Sequence, residues 1–227
     1  MRSYSTRFEL DEDPISEGGL WLNGRKDAID WCDVITRGGM AFGAVSRMNV
    51  AERRLEQASL GAGLEGAENA PPEGDYDDPE ALLAGEWGPD QWARGTVVSR
   101  KPTNRYFQEV ELRLRSTIAP HHSSGYEVFW RCLKTDEGYA EIVRWNGRIG
   151  DFTSLEKRIG PQYGVQHGDV VEATIIGNVL RGYVNGVEVI SAEDDVFATG
   201  CPGIGFNFFV GDTNVDHGFS SLDVDTW

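Results

Sequence analysis

The run GNVLRGYVNGVEVISA, residues 177–192, constrains the fold more than any other segment of the chain. Asn185 and Gly186 separate two stretches in which apolar and polar residues alternate. Such alternation is typical of a half-buried strand, and Asn-Gly is the preferred sequence of a two-residue type I′ turn. The run therefore predicts a β-hairpin.

Similar alternating runs follow one another from Gln91 onward, with Gly177-Asn178 and Asn146-Gly147 as further turn sequences. We expect strands near residues 93–99, 106–117, 125–134, 138–145, 169–177, 179–185, 187–192, 203–210 and 217–225. Many short strands without intervening helices predict two packed antiparallel sheets. All-β sandwiches reach a length of 227 residues as one unit, so we expect a single domain over residues 1–227.

Two segments before Gln91 differ from this pattern. Residues 18–43 mix glycine, tryptophan and short apolar runs, which favours an N-terminal pair of strands. Residues 51–86 are rich in Ala, Gly, Glu and Pro and contain almost no β-branched residues. They predict a long acidic insertion with a short helical turn at 51–60, and a solvated loop is favoured over a functional lid.

Charge excludes some partners. The chain carries 21 Lys and Arg against 37 Asp and Glu, a formal net charge of −16. This opposes binding to nucleic acid or to an anionic membrane, and no run reaches transmembrane length. The N-terminus lacks the apolar stretch of a signal peptide. The chain is therefore intracellular, or it works outside the cell or at its surface with an export signal missing from the sequence; we favour the second.

The three cysteines, Cys32, Cys132 and Cys201, are widely spaced and form no CxxC pair, so a zinc cluster is not expected. One disulfide with a free thiol and three reduced thiols are both compatible with this spacing. Cysteine content therefore does not identify the compartment.

The run EVELRLR, residues 109–115, raises the question of function. On a strand, Val110, Leu112 and Leu114 would face the core, and the opposite row would be Glu109, Glu111, Arg113 and Arg115. The neighbouring runs YEVFWRC and GYAEIVRWNG add further polar and aromatic residues, with Glu141 and Arg144 on opposite faces unless a bulge intervenes. The residues added are Glu127, Trp130, Arg131, Tyr139, Glu141, Arg144 and Trp145.

Three interpretations of this row remain open. It could be a cross-strand ladder of salt bridges, which is sufficient reason for the pattern. It could bind sugar, with Glu111, Arg113, Arg131, Tyr139, Glu141, Arg144 and Trp145 as ligand-binding residues. It could be catalytic, with Glu109, Glu111 and Glu141 as candidate carboxyls of a hydrolase, or with arginines and Tyr139 serving a lyase.

A candidate metal site lies near the C-terminus. In GDTNVDHG, Asp212, Asn214 and Asp216 offer oxygen ligands at alternate positions, as calcium loops often do. An EF-hand is excluded because His217 stands where that loop needs glycine. A structural Ca²⁺ ion is thus a hypothesis, an Asx-rich turn is the simpler interpretation, and no cofactor is required.

The segment HGDVVEATIIGNVLRGYVNGVEVISAEDDVFATGCPGIGF resembles the C-terminal half of laminin-G-like, concanavalin A-like jelly rolls of the bacterial extracellular type. The resemblance rests on Gly168-Asp169, on residues 183–187 and 197–206, and on GFSSLDVD, and it covers roughly residues 90–227. It implies a jelly-roll sandwich of two antiparallel sheets. Its members include lectins, binding modules, glycoside hydrolases and polysaccharide lyases.

The sharper motifs of that group are absent. ELDEDP places Pro14 where laminarinase-like hydrolases have their third acidic residue, and Gln166 directly precedes His167 without the residue that alginate lyases place between them. The resemblance therefore implies a lectin-like module that binds an oligo- or polysaccharide on a polar and aromatic concave sheet. A carbohydrate-active enzyme and a structural or adhesive surface module are the alternatives, and the oligomeric state stays open.

Overall fold

The computed structural model describes residues 1–44, 76–105, 107–209 and 214–227. Within these ranges the chain forms sixteen strands in two antiparallel sheets, which enclose a common apolar core. None of the helices in the described ranges is long and apolar enough to cross a membrane. The predicted all-β sandwich is confirmed.

The back sheet has the spatial order β14 (Val187–Glu193), β13 (Val179–Val184), β12 (Val170–Ile176), β7 (Gln91–Ser99), β16 (His217–Thr226), β4 (Ala41–Gly43) and β3 (Val34–Thr36), and β1 (Arg2–Thr6) also pairs with β16.

The front sheet has the spatial order β11 (Phe152–Ile159), β10 (Tyr139–Gly147), β9 (His122–Arg131), β8 (Gln108–Ala119), β15 (Cys201–Phe209), β6 (Glu80–Leu83) and β2 (Trp21–Asn23), and β5 (Tyr76–Asp77) also pairs with β15. Two short helical turns, Gly24–Ala28 and Asn214–Asp216, complete the described elements. Strands β8 to β11 are consecutive in sequence and adjacent in space, so one continuous meander forms half of the front sheet.

The core lies between the sheets and follows the alternation of β8. Val110, Leu112 and Leu114 are fully buried there, as the sequence predicted. Gly182 on β13 approaches closely from the back sheet, because a Cβ atom there would lie 2.8 Å from both Val128 and Ile190. The two sheets are therefore in direct side-chain contact, and Glu109, Glu111 and Arg113 of β8 lie on its outer side.

The predicted hairpin connects β13 and β14. Asn185 and Gly186 have φ of 52° and 78°, the left-handed values that a type I′ turn requires. The Asn185 side chain donates from Nδ2 to Asp169 Oδ1 at 2.9 Å and accepts from the Val170 backbone N–H at 2.8 Å. Gly168-Asp169, which precedes β12, and the Asn185-Gly186 turn are therefore held together by these hydrogen bonds. This explains why the two sequences occur together in the chain.

The structure differs from the sequence-based boundaries in two places in the front sheet. Strand β11 was not predicted, because FTSLEKRI alternates poorly and lies at the sheet edge. Asn146-Gly147 ends β10 instead of forming the turn, and the chain reverses over residues 148–151.

The predicted acidic insertion ends earlier than residue 86. Strand β6 lies inside the predicted range, and its four residues are buried, paired with β15. Its sequence, Glu-Ala-Leu-Leu, favours helix locally, but pairing with the glycine-rich β15 overrides that preference. The predicted helical turn at 51–60 lies outside the described residues. No disulfide bond joins Cys32, Cys132 or Cys201, and Cys32 and Cys132 are buried.

Candidate functional site

The outer side of the front sheet carries a dense group of acidic and aromatic side chains, which we call the acidic face. The acidic face consists of Asp78, Glu80, Glu109, Glu111, Arg113, Glu127, Tyr139, Glu141 and Trp145. All are buried except Asp78 and Tyr139, which are half-buried. Six carboxyl groups thus share one side of one sheet with the guanidinium of Arg113.

Strand register brings these residues together. On β9, Glu127 lies opposite Arg113 of β8, and Phe129 lies opposite Glu111. On the other side of β8, Gly205 of β15 lies opposite Glu111. A Cβ atom at Gly205 would lie 2.2 Å from Glu111 Oε2, so this glycine leaves the space that the Glu111 carboxyl occupies.

Arg113 holds the centre of the acidic face. Its Nη1 donates to Glu127 Oε2 at 2.8 Å, and its Nη2 lies 3.0 Å from Glu80 Oε2. Ser123 joins both, because it accepts from Arg113 Nη2 at 2.8 Å and donates to Glu80 at 3.0 Å. The indole of Trp145 donates to Glu127 Oε2 at 2.7 Å. A single guanidinium therefore connects β6, β8 and β9 through two carboxylates.

The side of the acidic face near β11 is more open. Tyr139 donates its hydroxyl to Glu109, and Glu141 accepts from Ser154 Oγ at 2.7 Å and from Lys157 Nζ at 2.6 Å. The Lys157 ammonium lies 4.4 Å from the centre of the Tyr139 ring, and its side chain is 43% exposed. Hydrogen-bonding side chains therefore lie next to the half-buried aromatic ring of Tyr139.

Burial controls the titration of these carboxyls. It raises the pKa of Glu109 to about 7, with the Tyr139 hydrogen bond opposing the rise and the charge of Glu127 adding to it. The pKa of Glu111 is raised well above its usual range by burial and by Glu127, Asp78 and Glu109. Burial also raises the pKa of Glu127, but Arg113 and Trp145 favour its charged form. Glu111 accepts no hydrogen bond from any described residue.

Trp145, which was predicted to bind ligand, is buried among aromatic and apolar neighbours. It is 5% exposed, and the ring of Trp31, which follows the Gly24–Ala28 turn, meets it edge-on at 6.3 Å between centroids. Ala28, Phe129 and Val143 complete this small apolar cluster. The chain around Trp31 therefore closes one end of the acidic face, and Tyr139 is the predicted aromatic that remains accessible.

Arg144 does not join the acidic face. It lies on the opposite side of β10 from Glu141, as strict alternation predicts, and its Nη1 pairs with Asp194 beyond β14. The Tyr126 hydroxyl donates to the same carboxylate at 2.7 Å. Its guanidinium therefore connects the two sheets at their rim, away from the other predicted ligand-binding residues, and its role in binding stays a prediction.

Arg115 also leaves the predicted row. Strand β8 has a bulge between Leu114 and Thr117, and Arg115 has a φ of 46°. Its guanidinium donates to the carbonyl oxygens of Pro89, Phe197 and Gly177 at 2.6, 3.1 and 2.8 Å. The outward row therefore ends at Arg113, and Arg115 ties together loops at one end of the sandwich.

Arg131 lies at the edge of the acidic face. Its guanidinium carbon is 5.7 Å from the centre of the Tyr139 ring, and its Nη1 donates to the Glu137 carbonyl at 3.0 Å. It is therefore placed beside the accessible aromatic ring, at the border of the carboxyl group cluster.

The predicted calcium ligands are only partly within the described residues. Asp212 lies outside them, and the side chain of Asn214 is not described. Asp216 is buried and pairs with Lys101 Nζ at 3.2 Å. Among the described residues there is no group of three or more His, Cys, Asp or Glu side chains placed to hold a metal ion. The calcium hypothesis stays a prediction.

Sequence reasoning missed Asp78 and Glu80, which enter the acidic face from the segment assigned to the insertion. Glu80 follows Asp77, Asp78 and Pro79 and precedes Ala-Leu-Leu, and this local sequence gives no sign that its carboxyl is buried on a strand. Lys157 was missed because its strand was not predicted.

Comparison with known proteins identifies the fold. No family model and no curated protein matches the chain. Among solved structures, the carbohydrate-binding module CBM66 from Bacillus subtilis is similar, with 14% identity, a TM-score of 0.54, and coverage of 87% of this chain and 96% of that chain. A lichenase, a β-1,3-1,4-glucanase from a mouse hindgut metagenome, has 12% identity and a TM-score of 0.53, with complete coverage of both chains.

The carbohydrate recognition domain of Emp47p is similar at 8% identity and a TM-score of 0.51, covering 98% of this chain and 95% of that chain. At such low identity, these likenesses concern the fold. They confirm the predicted concanavalin A-like jelly roll, in which two antiparallel sheets pack face to face.

Proposed function

We propose that the acidic face binds a carbohydrate, as an oligo- or polysaccharide. One observation carries this proposal: carboxyl groups held by a buried network lie beside a half-buried aromatic ring on one side of the front sheet. Sugar hydroxyls donate well to carboxylates, and the apolar side of a sugar ring packs on an aromatic ring. Glu109, Glu141 and Tyr139 offer these two kinds of contact within one patch.

The network around Arg113 supports this function because it fixes side chains before any ligand arrives. Arg113, Glu80, Glu127 and Ser123 restrain one another through contacts of 2.8–3.0 Å. A preorganised site loses less side-chain entropy on binding. The printed names of the similar structures, which include a carbohydrate-binding module and a carbohydrate recognition domain, agree with a sugar ligand.

A glycan array followed by calorimetry tests the proposal. We expect Glu141→Gln to weaken binding of an array hit by about 10- to 150-fold, which corresponds to losing a charge-assisted hydrogen bond of about 1.5–3 kcal/mol. The matched control is Glu172→Gln on the outer side of the back sheet, which should leave affinity unchanged. An array without a single binding glycan would overturn the proposal and favour a structural or adhesive module.

A second candidate function, glycoside hydrolysis, is favoured by the contrast between Glu111 and Glu127. Glu111 has a raised pKa and accepts no hydrogen bond from the described residues, which suits a general acid. Arg113 and Trp145 support the charged form of Glu127, which suits a nucleophile or base. Release of new reducing ends from the bound glycan, lost in both Glu111→Gln and Glu127→Gln, would support hydrolysis. Binding without cleavage leaves a lectin-like module.

A further inference from the structure

The acidic face is most accessible at the end where Tyr139 lies. Its carboxyl residues Glu109, Glu111 and Glu141 are each 6% exposed or less. Tyr139 is half-buried, and the side chain of Lys157 beside it is 43% exposed. A glycan that contacts the Tyr139 ring therefore keeps most of its own surface outside the acidic face, and it needs further protein contacts to be well covered.

A cavity of about 540 Å³ lies beside this end. It is bordered by residues 102–105, which precede β8, and by residues of the turn between β9 and β10. Glu137 of that turn lines the cavity, and its carbonyl oxygen accepts from Arg131 Nη1 at 3.0 Å. The guanidinium carbon of Arg131 is 5.7 Å from the centre of the Tyr139 ring. A single arginine therefore connects the cavity with the accessible end of the acidic face.

The cavity offers both kinds of contact that a sugar ring makes. Pro102 and Leu133 contribute apolar surface, and three polar side chains contribute an amide, a hydroxyl and a carboxylate: Asn104, Thr135 and Asp136. The side chains of Asn104 and Asp136 make no hydrogen bond with any described residue, so their polar groups are available to a ligand. The volume of the cavity is within the range of small-molecule sites, which is about 300–1,000 Å³.

Backbone hydrogen bonds hold the turn that forms one wall of the cavity. The Cys132 N–H at its start donates to the Gln108 carbonyl at 2.8 Å. The Gly138 N–H at its end donates to the Thr135 carbonyl at 2.8 Å, and the Gly138 carbonyl accepts from the Gly160 N–H at 2.7 Å. The turn is therefore fixed to β8 on one side and to the end of β11 on the other. A preformed wall of this kind reduces the entropy lost when a ligand binds.

A second cavity, of about 380 Å³, shows the contrast with a cavity whose polar groups already have partners. It lies beside β1, and Thr6 and Glu17 line it. Thr6 Oγ1 donates to the Glu17 carboxylate at 2.6 Å. Arg7, which also lines this cavity, donates to Asp223 at 3.0 Å. The polar side chains of the second cavity thus serve the fold, and the first cavity is the better candidate for a ligand.

We propose that the cavity between residues 102–105 and the β9–β10 turn is a second sugar subsite, which binds further units of the glycan held at Tyr139. This rests on the proposed carbohydrate-binding function and specifies the substrate class: an oligosaccharide long enough to span both places. Arg131 lies between them, so a glycan that spans them passes over its guanidinium. The protein therefore prefers longer oligosaccharides to a disaccharide of the same sugar.

The length of the glycan tests this proposal without any variant. An array printed with glucan, xylan, mannan, galactan and fructan oligosaccharides, from disaccharide to hexasaccharide, identifies the series that bind. Calorimetry on the intact protein then measures the affinity at each length, and we expect the hexasaccharide to bind about 10-fold or more tightly than the disaccharide. Equal affinity at all lengths would overturn the second subsite and leave carbohydrate binding intact. An array on which no oligosaccharide binds would overturn the proposed function, and the second subsite with it.

Two side chains of the cavity locate the gain in affinity. Asn104→Ala and Asp136→Ala should each weaken hexasaccharide binding by about 3- to 10-fold, because each removes a hydrogen-bonding group, and disaccharide binding should stay unchanged. Both side chains are exposed, so neither substitution should disturb folding. Asp195→Ala is the matched control: this exposed residue lies near Phe197, whose carbonyl Arg115 binds at the other end of β8, and its loss should affect neither ligand. Wild-type affinity for the hexasaccharide in both cavity variants would overturn the assignment of the subsite to this cavity.

Discussion

The outer sides of the two sheets have similar alternating sequences but opposite environments. On the back sheet, charges lie in solvent: Arg181 and Glu188 approach to 3.4 Å with side chains 35% and 47% exposed. On the acidic face, Arg113 and Glu80 approach to 3.0 Å with both side chains 2% exposed. The difference teaches that alternation predicts which side of a strand faces the core, but not whether the other side faces water.

This contrast also separates the interpretations of the charged row. The back sheet shows what a solvated polar surface looks like in this protein, with paired charges and a Trp92 indole donating to Glu172 at 3.0 Å. Exposed pairs of this kind contribute about 0–1 kcal/mol each. The buried carboxyls of the acidic face are costly to keep charged, so their retention calls for a functional explanation.

The largest expected difference between the two faces concerns their arginines. Arg113→Ala should lower the free energy of unfolding by about 3–5 kcal/mol, because it leaves the buried carboxyls of Glu80 and Glu127 without compensation. Arg181→Ala, the matched control on the back sheet, should cost less than about 1 kcal/mol. Urea unfolding followed by tryptophan fluorescence measures both. Equal and small effects would mean that the acidic face is as hydrated as the back sheet.

The next difference is in the sign of the pH dependence of stability. The pKa of Glu109 is raised in the folded state from its usual 4.5 to about 7, so its charge destabilises the fold increasingly between these pH values and fully above them. Glu109→Gln should therefore stabilise the protein by on the order of 2–3 kcal/mol at pH 8 and have little effect at pH 4.

The matched control for that pH dependence is Asp223 on the back sheet. Burial alone would raise its pKa, but hydrogen bonds from Ser5 and Arg7 outweigh burial and lower it. Its contribution is therefore present above its unfolded pKa and lost as the pH falls through the lower folded value. Asp223→Asn should destabilise the protein by less than about 1 kcal/mol at pH 8 and not at strongly acidic pH. If both variants raised the free energy of unfolding at pH 8, or both lowered it, this assignment would be contradicted.

The smallest expected effect tests where the acidic face ends. Arg144→Gln should lower the free energy of unfolding by about 1 kcal/mol or less, because the pair with Asp194 at the rim is partly exposed. Glycan affinity should not change, since the side chain lies on the other side of β10 from Glu141. Calorimetry with an array hit measures the affinity, and a 10-fold loss would return Arg144 to the binding residues.

Much of the fold could be predicted because short segments of the sequence determine its turns and the core-facing sides of its strands. Asn185-Gly186 determines a turn by backbone conformation, and the alternation of Val110, Leu112 and Leu114 determines a core-facing side. The edge strand β11 escaped prediction, since an edge strand needs no regular apolar side. Strand β6 escaped because its local preference is helical and its pairing partner lies far away in sequence.

The candidate site was predictable only in its β8 to β10 portion. Glu109, Glu111 and Arg113 follow from one strand, and register then adds Glu127 and Glu141. Asp78 and Glu80 could not be assigned from the sequence, because no local pattern indicates that β6 pairs beside β15. Arg115 was assigned to the outward row of β8 because nothing in the run EVELRLR indicates the bulge that turns its side chain away.

That bulge has a consequence for the order in which the chain folds. Arg115 contacts carbonyls that are 26, 62 and 82 residues away along the chain, in three separate loops. Closing such long loops costs entropy that is repaid only after both sheets have come together. We therefore expect the contacts of Arg115 to form in the final stage of folding, after the rate-limiting barrier. A residue of this kind governs how slowly the native protein opens and has little influence on how fast it forms.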